Sequence, residues 1–170
     1  IFVIPQGFPK IDNLKDNYNG NEIVTFCYSG AIYPDLRHPT LFLDYLCCLK
    51  IDFRFIVYTK SIQFFDKYKV QLGDKLVLRN YIKRDDLLIE LSKVDFLINI
   101  KNVSEVQVPS KIIDYLQAGR PNLEISTAFK EEEKKKFDKY LSLQFPEMKQ
   151  SFSQYDIVNV TKQFIDLFNA

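Results

Sequence analysis

The chain has 170 residues, of which 46% are hydrophobic and 26% charged, and its formal net charge is +1 at pH 7. This length and composition indicate a single globular domain with a substantial core. The nearly balanced charge argues against a nucleic-acid or membrane-surface binder, and no apolar run approaches the ~20 residues that span a bilayer.

Strand-length apolar runs alternate with helical patterns along the chain. Strands are predicted at residues 1–4, 22–29, 53–58, 75–78, 95–100 and 123–126. Helices are predicted at residues 39–49, 61–71, 85–93, 109–119, 128–143 and 154–168, with a polar loop at 13–21. The strands lack clean alternation and helices separate them, so we expect a Rossmann-like α/β fold, a parallel sheet with helices on both faces.

Local signals refine two of these helices. In the helix at 39–49, Leu41, Tyr45 and Cys48 lie at helical spacing and predict its buried stripe. The helix at 61–71 is predicted to be capped by Ser61 and to end at Gly73.

Charged residues suggest structural roles in two further helices. Asp85 and Asp86 open the helix at 85–93, where acidic side chains complement the helix dipole. The run at 131–136, EEEKKK, places acids three and four residues before lysines and predicts a solvated, ion-paired face.

The three cysteines, Cys27, Cys47 and Cys48, offer neither a disulfide framework nor metal-ligand spacing, which suits a reducing cytosol. His38 is the single histidine. It is either a loop residue before Pro39 that caps the next helix or a catalytic group, and the structural role is favoured. The sequence predicts no metal site and no bound cofactor.

The run at 108–121, VPSKIIDYLQAGRP, predicts a helix with a function at its first turn. Pro109 fits the first turn, Ser110 satisfies an unpaired N–H there, and Gly119 ends the helix with Pro121 beyond it. Ile112, Ile113 and Leu116 form the predicted apolar stripe. A second side carries Ser110, Lys111 and Asp114.

A helix N-terminus binds anions through its unpaired N–H groups and its dipole. With a hydroxyl, an ammonium group and a carboxylate one turn on, this helix suits a nucleotide. Phosphates would lie at Ser110 and Lys111, and ribose hydroxyls would bond Asp114. The alternative to a nucleotide-binding role is a capped, charged surface helix with a purely structural role.

This run resembles the donor-binding helix of GT-B-fold glycosyltransferases, particularly retaining ones that use nucleotide sugars. In many of them a glutamate is followed after seven residues by a second glutamate, with Gly-Lys-Pro five residues on. Asp114 stands five residues before Gly119, where the second glutamate belongs. The first falls on Val106, and Glu105 is one residue out of register.

The resemblance adds further site residues. Gly30 follows a strand and would let the backbone approach a diphosphate, and Arg37, seven residues on, would bind the donor phosphates. Tyr81 lies in the loop that is near the nucleobase in that family and would stack on it. Asn102 and Gln107 would bond sugar hydroxyls. Arg37 and Lys111 would be the catalytic residues, stabilising the leaving diphosphate without a metal.

The resemblance also implies the setting. Residues 1–170 would be the C-terminal half of a longer enzyme, whose N-terminal domain binds the acceptor. The opening run that ends at Pro5 fits the start of such a half. The donor would be a UDP- or GDP-type sugar, and the enzyme would serve polysaccharide biosynthesis in the cytoplasm or at the inner face of the membrane.

Two alternatives remain open. Val106 in place of the first acid favours a non-catalytic Rossmann-like interaction module. A nucleotide-sugar epimerase shares the two-domain fold, but it would need acid–base residues across the cleft, and this chain offers few.

The last helix carries Ile157, Val160, Phe164 and Phe168 on one stripe, flanked by Val158 and Ile165. We expect this helix, or the face beside it, to expose apolar surface that a missing domain covers.

Overall fold

A parallel five-stranded sheet forms the centre of the protein, in the strand order β3-β2-β1-β4-β5. The computed structural model describes residues 4–12, 14, 18–33, 38–101, 111–147 and 151–168. The strands are β1 (Thr25–Ser29), β2 (Arg54–Tyr58), β3 (Leu76–Arg79), β4 (Phe96–Ile100) and β5 (Asn122–Ile125).

Helices connect successive strands and complete the fold. They are α1 (Thr40–Cys48), α2 (Asp66–Leu72), α3 (Arg84–Ser92), α4 (Lys111–Ala118), α5 (Glu131–Leu141) and α6 (Ile157–Phe168). Short 3₁₀ turns at Ile62–Phe65 and Phe152–Tyr155 precede α2 and α6. The predicted strands and helices within the described residues are confirmed to within a few residues at their ends, whereas residues 1–3 lie outside them.

Both faces of the sheet are packed, as a parallel sheet requires. On one face the rings of Phe26, Phe55 and Phe96 stack side by side, with centroids 4.8 and 4.9 Å from Phe26, and α1, α2 and α5 cover them. The other face packs Cys27 and Leu97 against α3 and α4. The aromatic-rich composition therefore builds the larger of two cores.

The predicted buried stripe of α1 is wrong by about one residue. Leu41 is 50% exposed and Cys48 is exposed, whereas Phe42, Leu43 and Leu46 are completely buried. The reason is tertiary, since the ring of Phe42 fits edge-on among the other aromatic rings of this core.

The stripe of α4 needs a similar correction. Ile113 is buried as predicted, but Ile112 and Leu116 are only half-buried, and Tyr115, Gln117 and Ala118 take the inward positions.

One predicted cap differs, and one acidic side chain of α5 has a capping role that was not predicted. Ser61 does not cap the helix that follows, and its hydroxyl instead accepts from the Ile32 N–H at 3.4 Å. Gly73 ends α2 as predicted, with φ +55°. In α5, Lys134 pairs with Glu131 at 3.3 Å as expected for a solvated face, but Glu133 caps the helix by accepting from the Lys130 N–H at 2.7 Å.

Helix α6 buries only Val160 among the residues of its length. Its predicted apolar surface is confirmed, with Phe164 49% and Phe168 89% exposed. The remaining exposed apolar side chains are Ile157, Val158, Ile165 and Leu167. No helix in the described part of the chain is both long and apolar enough to cross a membrane.

Candidate functional site at the carboxyl edge of the sheet

The strand order reverses between β1 and β4, and this switch point is where ligands bind in open parallel sheets. Gly30 follows β1 at the carboxyl edge, and α4 begins at Lys111 after the β4 connection. The Gly30 N–H donates to the Tyr58 carbonyl at 2.9 Å, which fixes the loop against β2. Gly30 has φ +147°, a conformation that side-chain-bearing residues rarely adopt.

Gly30 and Lys111 converge at this point on Tyr28. The Lys111 ammonium nitrogen lies 4.4 Å from the centroid of the Tyr28 ring, a cation–π contact, and the Tyr28 hydroxyl donates to the Ala31 carbonyl at 2.9 Å. A Cβ at Gly30 would lie 3.0 Å from the Tyr28 oxygen and 3.5 Å from the Lys111 nitrogen. A bare backbone loop and a positive charge therefore face each other across the switch point.

Asp114 lies one turn along α4 from Lys111 and forms an ion pair with Arg84, the first residue of α3. The Arg84 Nε and Nη2 atoms lie 2.8 and 2.7 Å from the same oxygen, Oδ1. Burial raises the pKa of the Asp114 carboxyl above its usual value, and the Arg84 guanidinium opposes this rise. Asp114 is thus a half-buried carboxylate with a cation on one side.

Tyr115 fixes α4 to the sheet. Its buried hydroxyl donates to the Ile98 carbonyl at 3.0 Å and accepts from the Ser29 N–H at 3.1 Å. Burial raises the pKa of Tyr115 well above its usual range. One phenol therefore holds the helix to the carboxyl end of β1 and to the middle of β4, the two strands at the switch point.

A cavity of about 410 Å³ lies at the same edge, beside the ends of β2 and β3. It is lined by Tyr58, Arg79, Asn80, Ile82, Asp86, Ile89 and Glu90. Tyr81 stands in the loop next to it, 66% exposed, with the Lys60 ammonium nitrogen 5.2 Å from its ring centroid. Its ring is therefore not packed into the core of its own domain.

The structure brings together three of the predicted site residues, Gly30, Lys111 and Asp114, and places Tyr81 at the same edge. Four further predicted residues lie outside the described part of the chain: Arg37, Asn102, Gln107 and Ser110. Within the described ranges, no group of three or more His, Cys, Asp or Glu side chains is arranged to hold a metal ion.

Sequence reasoning missed Arg84, Gln117, Tyr28 and Tyr115. Arg84 directly precedes the two aspartates that start α3, and nothing local distinguishes it from a solvated arginine. Its contact with Asp114 depends on how α3 packs against α4. His38 bonds the Thr40 hydroxyl at 3.0 Å, at the start of α1, in keeping with its favoured structural role.

The Gly-Arg-Pro end of the same motif lies at the opposite edge of the sheet. There the Arg120 guanidinium stacks 3.4 Å from the Tyr18 ring centroid and donates to the Asp95 carbonyl at 3.2 Å. The Asp95 carboxylate accepts from the Tyr18 hydroxyl at 2.5 Å and from the Thr25 N–H at 2.7 Å. The motif that starts at the candidate site thus ends in a separate polar cluster at the amino edge.

Solved structures that share this fold include two of which this chain covers about half. No family model matches the chain, and no curated protein matches it significantly. One is the lipopolysaccharide outer core galactosyltransferase WaaB in its apo form, with a TM-score of 0.64 at 10% identity, covering 99% of this chain and 54% of that one. The other is Anabaena Alr3699/HepE in complex with UDP and glucose, with a TM-score of 0.57 at 9% identity, covering 99% and 56%.

Both neighbours are GT-B glycosyltransferases, and the chain spans about half the length of each. The predicted Rossmann-like fold is therefore confirmed, and it corresponds to about half of a GT-B structure. At such low identity the likeness defines the fold and leaves the chemistry to the residues of the site.

Proposed function

We propose that this chain is the donor-binding domain of a glycosyltransferase and that it binds a nucleoside-diphosphate sugar at the carboxyl edge of the sheet. The observation that carries the proposal is the convergence of Gly30, Lys111 and Asp114 at the switch point, where bare backbone, ammonium and carboxylate match diphosphate and ribose. The UDP and glucose in the HepE structure support this assignment.

Lys111 would bind the diphosphate. Its ammonium nitrogen lies over Tyr28 and beside Gly30, where the absence of a side chain lets phosphate oxygens approach the backbone. We assign to Arg37 and Ser110 the supporting roles that the sequence predicts, a guanidinium for the phosphates and a hydroxyl at the helix N-terminus. Positive charge here would stabilise the diphosphate as it leaves the sugar.

Asp114 would bind the ribose. Both Arg84 contacts fall on Oδ1, so hydroxyl donors of the ligand would approach Oδ2. The nucleobase would occupy the neighbouring cavity and stack on Tyr81, while Asn102 and Gln107 would contact sugar hydroxyls.

In the proposed transfer, the bond between the anomeric carbon and the diphosphate oxygen breaks and a bond to an acceptor oxygen forms. The electron pair stays with the diphosphate, which Arg37 and Lys111 neutralise. The acceptor proton passes to a base from outside this chain. We assign the retaining stereochemical course, following the resemblance of residues 108–121.

We also propose that the exposed face of α6 packs on an N-terminal domain of the same polypeptide. The chain covers only 54% and 56% of the two neighbours, so a little under half of each neighbour lies outside the matched part. Helix α6 has one basic and one acidic residue, Lys162 and Asp166. An apolar face with so little positive charge around it suits a protein surface more than an anionic membrane. The three cysteines of the chain are not bridged, which suits a cytoplasmic enzyme. The description of WaaB supports a role in polysaccharide or lipopolysaccharide synthesis.

Calorimetric titration of the 170-residue chain with UDP, GDP and their sugars tests the proposal. We expect one nucleotide to bind, and Lys111→Gln to weaken it about tenfold or more, since an ammonium–phosphate contact is charge-assisted. Lys134→Gln is the matched control, because Lys134 is a surface lysine on α5 whose ammonium nitrogen pairs with Glu131 at 3.3 Å and lies 5.9 Å from the Tyr45 ring centroid. If none of these ligands binds even in the millimolar range, the proposal is wrong.

A further inference from the structure

A polar stripe runs along α4 from the candidate site to the far end of the helix. Lys111, Asp114 and Gln117 lie at successive three-residue steps, and Gln117 is buried although it is polar. The Arg84 guanidinium spans two of them, since Nη2 lies 2.7 Å from Asp114 Oδ1 and 3.1 Å from Gln117 Oε1. One side chain of α3 thus connects Asp114, the proposed ribose-binding residue, to the carboxyl end of α4.

The connection continues from Gln117 into the start of the chain. Gln117 Nε2 donates to the Pro9 carbonyl at 2.9 Å, and the Arg84 guanidinium lies 5.9 Å from the Phe8 ring centroid. The side chains of Arg84 and Gln117 therefore link α3 and α4 to residues 8–9, which are far away in the sequence.

Residues 7–9 are in turn bound to the start of α6. The Phe8 N–H donates to the Tyr155 carbonyl at 2.7 Å, and the Ile157 N–H donates to the Phe8 carbonyl at 3.0 Å. A Cβ at Gly7 would lie 2.5 Å from Ile157 Cδ1, so the two segments are in close contact. A continuous set of hydrogen bonds thus leads from Asp114 to the helix whose apolar face is exposed.

We propose that Arg84 is a positioning residue that couples occupancy of Asp114 to the attachment of residues 7–9 and α6. The inference rests on the proposed function, in which Asp114 binds ribose. A ligand that fixes the position of the Asp114 carboxylate also fixes the Arg84 guanidinium. Through Gln117 it then stabilises the contact of residues 7–9 with α6. By thermodynamic linkage, stabilising α6 in its place favours ligand binding to the same extent.

Arginine suits this role because its planar fork places several N–H donors in fixed directions. Lysine would keep the charge beside Asp114 but has no such fork to hold Gln117 at the same time. The variant Arg84→Lys therefore separates the ion pair from the coupling, whereas Arg84→Gln removes both.

Amide hydrogen exchange of the 170-residue chain, with and without UDP or GDP, tests the proposal. Without nucleotide, we expect Arg84→Gln and Gln117→Leu to lower protection of the Phe8 and Ile157 amides about tenfold, within the usual range of coupling free energies. Arg54→Gln is the control, because Arg54 is an exposed arginine at the amino edge. Saturating nucleotide is expected to raise this protection in the wild type.

In Arg84→Lys we expect the nucleotide-dependent rise in protection to disappear, and by the same linkage the nucleotide affinity to fall by no more than the factor by which nucleotide raises this protection in the wild type. A purely structural arginine would lower protection equally with and without ligand, which would contradict the coupling. If Arg84→Gln leaves the Phe8 and Ile157 amides unchanged in the absence of nucleotide, the inference is wrong. Failure of every nucleotide to bind would instead overturn the proposed function, and it would remove the coupling with it.

Discussion

The two edges of the sheet carry the same kinds of side chains in opposite arrangements. At the carboxyl edge Asp114 pairs with Arg84, and at the amino edge Asp95 lies with Arg120, each arginine beside an aromatic ring. One sequence motif contributes to both clusters, because α4 begins at the first edge and ends near the second.

The clusters differ in how their carboxylates are used. Asp95 is 1% exposed, and its two oxygens accept from Tyr18 and from the Thr25 backbone. The Arg84 contacts of Asp114 both fall on Oδ1, and the Asp114 side chain is 21% exposed. A buried carboxylate with both oxygens bonded internally stabilises the fold, whereas a partly exposed carboxylate whose arginine contacts fall on one oxygen can accept hydroxyl donors of a ligand on the other.

The largest effect is expected from Asp95→Asn. The amide replaces an acceptor with a donor opposite the Thr25 N–H or the Tyr18 hydroxyl, so we expect a loss of about 3 kcal/mol in the free energy of unfolding. Urea denaturation measures it, with Asp52→Asn, an exposed aspartate, as the control. Nucleotide affinity of the folded protein should not change. An Asp95→Asn variant that is stable but has lost nucleotide binding would contradict the structural role of the amino edge and assign ligand binding to it.

The converse variant, Asp114→Asn, is expected to lower nucleotide affinity about tenfold, because a charged acceptor for hydroxyls is lost. The free energy of unfolding should change by about 1 kcal/mol or less, since the ion pair is partly exposed and burial of the carboxylate opposes it. Calorimetric titration and urea denaturation of one preparation give both values. A variant that unfolds readily yet binds normally would make Asp114 a structural residue.

A smaller effect concerns pH. Burial raises the pKa of Asp114 and Arg84 opposes that rise, so Arg84→Gln should raise this pKa further. Ribose hydroxyls require the ionised carboxylate, and affinity should therefore start to fall at a higher pH on acidification than in the wild type. The raised pKa also means that stability linked to this carboxyl is present at low pH and is lost as the pH rises through its value in the folded state. Titrations of both proteins from neutral pH down to about pH 4, near the ordinary pKa of an aspartate, measure the difference, and superimposable profiles would contradict it.

The smallest effect on stability is expected away from both edges. Phe168 on α6 is 89% exposed, so Phe168→Ser should change the free energy of unfolding by no more than about 0.5 kcal/mol. We expect the isolated chain to self-associate through this exposed apolar face, and Phe168→Ser should weaken that association, as sedimentation would measure. Lys162→Ser, elsewhere on α6, is the matched control. Equal association of both variants would exclude this face from the contact.

The comparison also explains which parts the sequence could predict. Hydrophobic patterning located the strands and helices, and the parallel order brought Gly30 and Lys111 to one edge as expected. The buried face of α1 was misjudged, because the ring packing of Phe42 outweighs the spacing of Leu41 and Cys48.

The rest of the site depends on contacts between distant segments. Arg84 and Gln117 are ordinary helical residues in the sequence, and their shared contact arises only when α3 packs against α4. The role of Asp95 likewise requires β1 and the residues before β4 to lie side by side. Such partners carry no local signal, so periodicity and capping rules do not find them.

The length of helix α4 also sets the distance between the polar clusters at the two edges of the sheet. Its eight residues rise about 12 Å in total, similar to the length of a short strand, and they turn through a fixed angle between Lys111 and Ala118. Inserting one residue would rotate everything beyond it by about 100°, so Asp114 and Arg120 could not both keep their partners. The number of residues between the two ends of the motif therefore fixes their relative orientation. A change in that number would preserve either the proposed ligand site at Asp114 or the polar cluster at Arg120, but not both.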